Sequence, residues 1–169
     1  MLQWLKEPLG GMNVDVFSLL HEDHENVALI FKKIESMKSK ETEQTREQLF
    51  EELYTELTLH AEVEEDVVYP FFEEKQETAS IVEESLHEHE EIETLLSELK
   101  AMRPDDEEWM STLTELKEKV EHHVQEEEGE FFSTARTLIS EDQAQRLAET
   151  VDTMKEELRG QRSGFRAAS

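Results

Sequence analysis

Along most of the chain the apolar positions recur at steps of three and four, the spacing that puts one face of an α-helix against a core. A first stripe reads Phe17, Leu20, His24, Val27, Phe31, Ile34, and a second reads Leu53, Leu57, His60, Glu64, Val67, Phe71. A third reads Val82, Ser85, His89, Ile92, Leu96, Leu99, and a fourth Trp109, Leu113, Leu116, Val120, His123, Glu127, Phe131. No segment sustains the period-two alternation of a half-buried strand. The pattern predicts helices over about residues 14–38, 43–69, 78–102 and 104–138, followed by a fifth that ends near Gly160.

The punctuation agrees with these limits. Gly10 and Gly11 close an N-terminal segment, residues 1–13, and Asn13 is placed to cap the first helix. Pro70 falls near the end of the second helix, and Pro104 with Asp105 and Asp106 opens the fourth, where the helix dipole favours acidic residues. Ser140 and Gln143 have the spacing of a capping box for the fifth. The expected organisation is all-α: an up-down-up-down four-helix bundle over residues 14–139, an additional C-terminal helix over 140–160, and a flexible tail over 161–169. Leu147, Val151, Met154 and Leu158 give the fifth helix an apolar stripe. It is expected to dock on the bundle exterior without contributing ligands, or else to form a dimer contact.

Composition narrows the function. Among 169 residues, 43 are Asp or Glu against 17 Lys or Arg, a formal net charge of -26. Nucleic acid and anionic membrane surfaces need basic patches, so neither is an expected partner. The absence of Cys excludes disulfides, thiolate metal sites and thiol catalysis. No apolar run is long enough to span a bilayer. Lys6, Glu7 and Pro8 stand where a signal peptide would need apolar residues, so the expected location is the cytoplasm.

The histidines change the picture most. A lone core histidine is usually a satisfied packing residue, but here all four bundle helices place one in the apolar stripe. Two of them add a carboxylate one turn on, Glu64 and Glu127. An unpaired buried carboxylate costs several kcal/mol, roughly, so six such groups call for a common partner. An internal repeat points the same way. His24 aligns with His89 at an offset of 65, and His60 with His123 at 63, so each half is a hairpin carrying one His and then His-x-x-x-Glu. Two such hairpins related by pseudo-twofold symmetry set two equivalent ligand sets face to face, a geometry for two metals. Imidazole and carboxylate without sulfur suit iron, manganese or zinc. If both glutamates bridge, each metal has two imidazoles and two carboxylate oxygens. A bridging oxo or hydroxo group then makes five ligands and leaves room for a small exogenous molecule.

The segments LLHEDHENV, LHAEVEEDVVYP, LHEHEEI and HHVQEEEGEFF resemble the hemerythrin-like, or HHE cation-binding, family over roughly residues 14–138. The resemblance implies a four-helix bundle with a non-haem di-iron centre and ligand roles for His24, His60, Glu64, His89, His123 and Glu127. Oxygen-carrying members have a further His where this chain has Ser85. The four-His, two-Glu set is more similar to the branch that responds to nitric oxide, peroxide or iron stress. The expected function is binding of or response to dioxygen, nitric oxide or peroxide, in oxidative or nitrosative stress or iron homeostasis, served by a redox partner protein. The alternative is an enzyme with peroxidase- or catalase-like activity, or donation of iron for iron–sulfur cluster repair. A ferritin-like oxidase would need Glu-x-x-His on two helices. Glu84/His87 is the one example, and it is out of phase with the core. A metal-free acidic bundle used for protein contacts, as monomer or homodimer, is the bland alternative.

The other polar candidates are ordered by phase. His123 is in phase with Val120 and Glu127, whereas His122, with Glu126 four residues on, offers a second register outside the stripe. His87 and His21 are expected at the surface. Glu65 and Glu128 follow the ligand glutamates in both halves and either orient ligand imidazoles or line a solvated face. Tyr69 is expected to pack, with a redox-active place near the iron as the alternative.

Overall fold

A computed structural model describes residues 14–37 and 43–167. Its helices are α1 (Val16–Glu35), α2 (Glu43–Val63), α3 (Tyr69–Glu73), α4 (Ala79–Ala101), α5 (Glu107–Glu126), α6 (Phe132–Leu138) and α7 (Glu141–Ala167). A five-residue π-helical turn, Glu64–Val68, joins α2 to α3, and another, Glu127–Phe131, joins α5 to α6. The four bundle members are therefore α1, α2 with α3, α4, and α5 with α6, running up-down-up-down, with α7 as the additional helix. Asn13 and the stretch 38–42 lie outside the described residues. The side chain that caps α1 is Asp15, which accepts from the Ser18 amide at 2.8 Å. The capping box of α7 forms as its spacing requires: the Ser140 amide donates to Gln143 at 3.0 Å, and the Gln143 amide to Ser140 Oγ at 3.2 Å.

Two apolar clusters fill the bundle, one at each end. The first gathers Val27, Phe31, Leu53, Leu96, Trp109 and Leu116 among others. The second gathers Phe17, Leu20, Val68, Tyr69, Phe72 and Phe131, together with Ala144, Ala148 and Val151 of α7. In each stripe the histidine falls between residues of the first cluster and residues of the second, so a polar layer separates two apolar halves.

Two sequence expectations need correction. The second stripe was extended in a regular α-helical phase to Val67 and Phe71, but the fully buried residues are Val68 and Phe72. The π turn is the reason. The Tyr69 amide donates to the carbonyl of Glu64, five residues back, and the extra residue rotates everything beyond it to a new face. Pro70, which has no N–H and whose ring would crowd the carbonyl four residues back, sits directly after this widened turn. The second correction concerns α7, which continues through Gly160 to Ala167, into the stretch expected to be a flexible tail. Arg159 grips Glu56 through both amino groups at 2.8 and 3.0 Å. Arg162 holds Thr58 Oγ1 at 2.9 Å and Glu62 at 2.8 Å. Contacts with α2 therefore carry the helix past a residue that usually ends one. The stripe of α7 docks on α1 and α2, with Val151 fully buried and Leu147 and Met154 partly so. Among the described residues, no helix is long and apolar enough to cross a membrane.

Candidate metal centre

The six residues singled out by phase meet in the polar layer, and all are buried: Glu64 and Glu127 at 0% and 1% exposure, the four histidines at 8% or less. Their donor atoms form two overlapping groups, His24–His60–Glu64–Glu127 and Glu64–His89–His123, each with all its atoms within 4.8 Å of one another. His24 Nε2 lies 3.1 Å from His60 Nε2, and His89 Nε2 lies 3.3 Å from His123 Nε2. Glu127 turns one oxygen to each pair: Oε1 is 3.1 Å from His24 Nε2, and Oε2 is 3.4 Å from His123 Nε2. Glu64 Oε1 packs against His60 Nε2 and lies 4.0 Å from His89 Nε2. Both glutamates start the π turns, so the local widening of the helix occurs where each carboxylate enters the cluster.

A carboxylate holds the outer nitrogen of each imidazole. His24 Nδ1 donates to Glu128 at 3.0 Å, His60 Nδ1 to Asp23 at 2.8 Å, His89 Nδ1 to Glu65 at 2.8 Å and His123 Nδ1 to Glu88 at 3.0 Å. An ionised carboxylate can only accept, so each Nδ1 carries the hydrogen, and in the neutral imidazole the Nε2 lone pair points inward. The pattern repeats across the pseudo-twofold. The residue before the first histidine of one hairpin orients the second histidine of the same hairpin, and the residue after each glutamate orients a histidine of the other. Glu65 and Glu128, left open between two roles in the sequence, both take the orienting role. Asp23 and Glu88 were missed. Their signal was an acidic residue directly before the in-phase histidine in both halves.

The remaining candidates separate by exposure. His87 is on the surface, with its side chain 72% exposed. His21 is also exposed but hydrogen-bonds Glu128, so it joins the network one step outside His24. The His122 side chain is 60% exposed and that of His123 4%, which decides the two registers of α5. Ser85 is buried in its stripe, one turn before His89. The hydroxyl that reaches the cluster is that of Tyr69, which donates to Glu127 Oε2 at 2.6 Å and lies 3.5 Å from His89 Nε2. The π turn between Glu64 and Tyr69 sets this placement, and regular helical phase gave no sign of it.

The donor set fits metal. Two pairs of inward Nε2 atoms at hydrogen-bond distance cannot face each other as bare lone pairs; a proton or a cation has to stand between them. Both oxygens of Glu64 and Oε1 of Glu127 are buried without a hydrogen-bond partner. The electrostatics favour positive charge at the same place. Burial alone would lower His60, but Glu64 and Asp23 reverse this and lift it to about 10. For His123, burial likewise opposes the charged form, and Glu127 and Glu88 overcome it. Burial would raise Asp23, yet its contacts with His60 and Lys155 hold it at about 2. Six carboxylates, Glu64, Glu127, Asp23, Glu65, Glu88 and Glu128, thus surround four imidazoles. Lys155 of α7 adds positive charge at one edge through its ion pair with Asp23. In the absence of metal, protons on His60 and His123 offset part of this charge.

A cavity of about 180 Å³ opens onto the imidazoles from the side of the first apolar cluster. All four histidines line it, and so do Val27, Leu57, Ile92, Leu96, Val120 and Val124. Neither of the two central glutamates, nor Tyr69, contributes to its wall. A small molecule entering there meets an apolar wall on one side and the ring of imidazoles on the other.

The comparisons with known proteins agree with this geometry. The model of the hemerythrin HHE cation-binding domain matches residues 15–135. A DNA nickase of Nostoc is 28% identical over 159 residues, covering 92% of this chain and 43% of that protein. An uncharacterized hemerythrin-like protein of Schizosaccharomyces pombe is 28% identical over 138 residues, covering 80% of this chain and 66% of that one. The chain thus spans less than half of the nickase and just under two thirds of the yeast protein. A crystal structure of a hemerythrin HHE cation-binding domain-containing protein from Mycobacterium kansasii superposes with a TM-score of 0.76 at 23% identity, covering 88% of this chain and 89% of that one. The in-phase histidines, the two central glutamates and the helical bundle that assembles them place this chain in the hemerythrin HHE cation-binding family.

Proposed function

We propose that this protein holds two iron ions in the polar layer and uses them to bind or respond to a small oxidant: dioxygen, nitric oxide or peroxide. His24 and His60 would hold one ion and His89 and His123 the other, with Glu64 and Glu127 completing both ligand sets. The observation that carries the reading is the paired geometry: two facing Nε2 pairs, with Glu127 turning one carboxylate oxygen to each. A single ion would leave one imidazole pair and its share of the carboxylate oxygens without a partner. Iron in such a site supplies redox chemistry and open coordination positions. The chain supplies the rest. Four carboxylates fix the imidazole orientation. The cavity, lined by apolar side chains together with Glu62, Glu65 and Glu93, gives a small molecule room beside the imidazoles.

A second reading, consumption of peroxide, draws support from Tyr69. Its hydroxyl is held on Glu127, and burial together with the charges of Glu127 and Glu64 raises it well above the ordinary phenol value. It therefore keeps its proton beside the cluster, where a reduced oxidant would need one. DNA nicking is not carried over from the Nostoc relative. The matched region is less than half of that protein, and a chain of net charge -26 repels polyphosphate.

Metal quantification with an optical spectrum, on protein purified anaerobically from iron-supplied cells, tests the centre. The expected content is two irons per chain. Stopped-flow absorbance after mixing the reduced protein with oxygen tests the role: oxidation should proceed without a lasting oxygen-dependent spectrum. A spectrum that forms with oxygen and reverses when oxygen is removed would make the protein an oxygen carrier instead.

A further inference from the structure

The pseudo-twofold symmetry fails at one place. In the first half, Asp23 orients His60, and Lys155 of α7 brings a cation to the same carboxylate. In the second half, Glu88 orients His123 through Oε1, and among the described residues no helix equivalent to α7 covers it. Its other oxygen, Oε2, faces His122 Nε2 at 3.6 Å, too far for a hydrogen bond. Lys119, on the same helix as His122, bonds Glu91 at 2.9 Å. Glu88 is nonetheless 8% exposed, and among the described residues no lysine pairs directly with it as Lys155 does with Asp23; Lys119 acts on it only at longer range.

The residues around that oxygen differ between the halves in a telling way. By the offset of 63, His122 and Glu126 correspond to Leu59 and Val63. Both of those are buried, and Val63 packs in the cluster that includes Ala148 and Val151 of α7. Where the first half has an apolar seat for a helix, the second has an imidazole and a carboxylate one turn apart, 3.2 Å from each other. Glu88, His122 and Glu126 offer three ligand atoms within 4.8 Å of one another.

We propose that Glu88, His122 and Glu126 form a third metal site, at the surface, that takes a divalent first-row cation. One imidazole and two carboxylates, with no sulfur, suit Zn²⁺, Mn²⁺ or Fe²⁺, and among these the general affinity order favours Zn²⁺. Three protein ligands on one side leave a position for water, the pattern of an open site. The bound cation takes the electrostatic place that Lys155 fills in the other half, and it lies one carboxylate away from His123. This site goes beyond the di-iron reading. It uses none of the six buried donors, and it stands whichever small molecule the centre binds.

Titration calorimetry with Zn²⁺ on the iron-loaded chain tests the proposal, with iron measured in the protein afterwards. The wild type should take up one Zn²⁺ per chain in a saturable step and retain its iron. The exposed double substitution His122→Gln with Glu126→Gln should weaken that step at least tenfold, with iron content and melting temperature unchanged. His87→Gln, at another exposed histidine, should leave it intact. Equal Zn²⁺ affinity in the wild type and the double variant would overturn the proposal. So would the absence of a saturable step in the wild type, or Zn²⁺ uptake matched by loss of iron.

Discussion

Removing the metal should cost this fold a measurable part of its stability, and the structure bounds how much. Three carboxylate oxygens, both of Glu64 and Oε1 of Glu127, are buried without a hydrogen-bond partner. Each buried acceptor left unmatched costs about 1–3 kcal/mol. His60 Nε2 and His24 Nε2 lie against two of these oxygens and can donate to them once protonated, so the lower end of that range applies. Three atoms at about 1 kcal/mol each give a deficit of about 3 kcal/mol. For a domain of this length, that corresponds to a fall in Tm of about 6–12 °C. The assay is differential scanning calorimetry of iron-loaded protein and of protein stripped with a chelator, both at pH 7.5 and one protein concentration. If the stripped protein melts within about 2 °C of the loaded form, the carboxylates are satisfied without metal and the ligand assignment is wrong.

His60→Ala and Glu127→Ala should each lose most of the iron, read by metal quantification after anaerobic purification; full retention in either would remove that residue from the ligand set. Glu65→Gln, which leaves His89 Nδ1 with a weaker acceptor, should lower metal affinity about 10–100-fold in chelator competition, and an unchanged affinity would reduce Glu65 to a surface charge. The cap of α1 gives a pH dependence outside the centre. Burial would raise Asp15, but the Ser18 amide and Arg136 hold it below its ordinary 3.8. A depressed carboxylate stabilises the fold above pH 3.8, and that contribution disappears as pH falls through the folded value. Asp15→Ala should therefore cost about 1 kcal/mol in urea denaturation at pH 7, and the gap to wild type should narrow below about pH 3.8. A gap that stays constant with pH would mean that the carboxylate charge contributes nothing.

Much of this protein was legible in its sequence, for a definite physical reason. A helix converts spacing into direction, so a residue in phase with an apolar stripe faces the core wherever the helix packs. His24, His60, Glu64, His89, His123 and Glu127 were all in phase, and all six meet in the polar layer. The two-half repeat carried the symmetry with it, because aligned sequences place equivalent side chains at equivalent positions in each hairpin. Phase also separated His123 from His122.

What phase could not reach was decided by the tertiary structure. The π turns at Glu64 and Glu127 each insert one residue into the register, which moved the buried positions from Val67 and Phe71 to Val68 and Phe72 and brought the Tyr69 hydroxyl onto Glu127. The orienting carboxylates Asp23 and Glu88 act across helix–helix interfaces, so their roles depend on how the helices pack and not on the order of residues within either one. The persistence of α7 beyond Gly160 comes from arginines gripping another helix. Sequence periodicity fixes which way a side chain faces along its own helix. Which residue it meets there depends on the approach of a second helix, and no periodicity within the first encodes that.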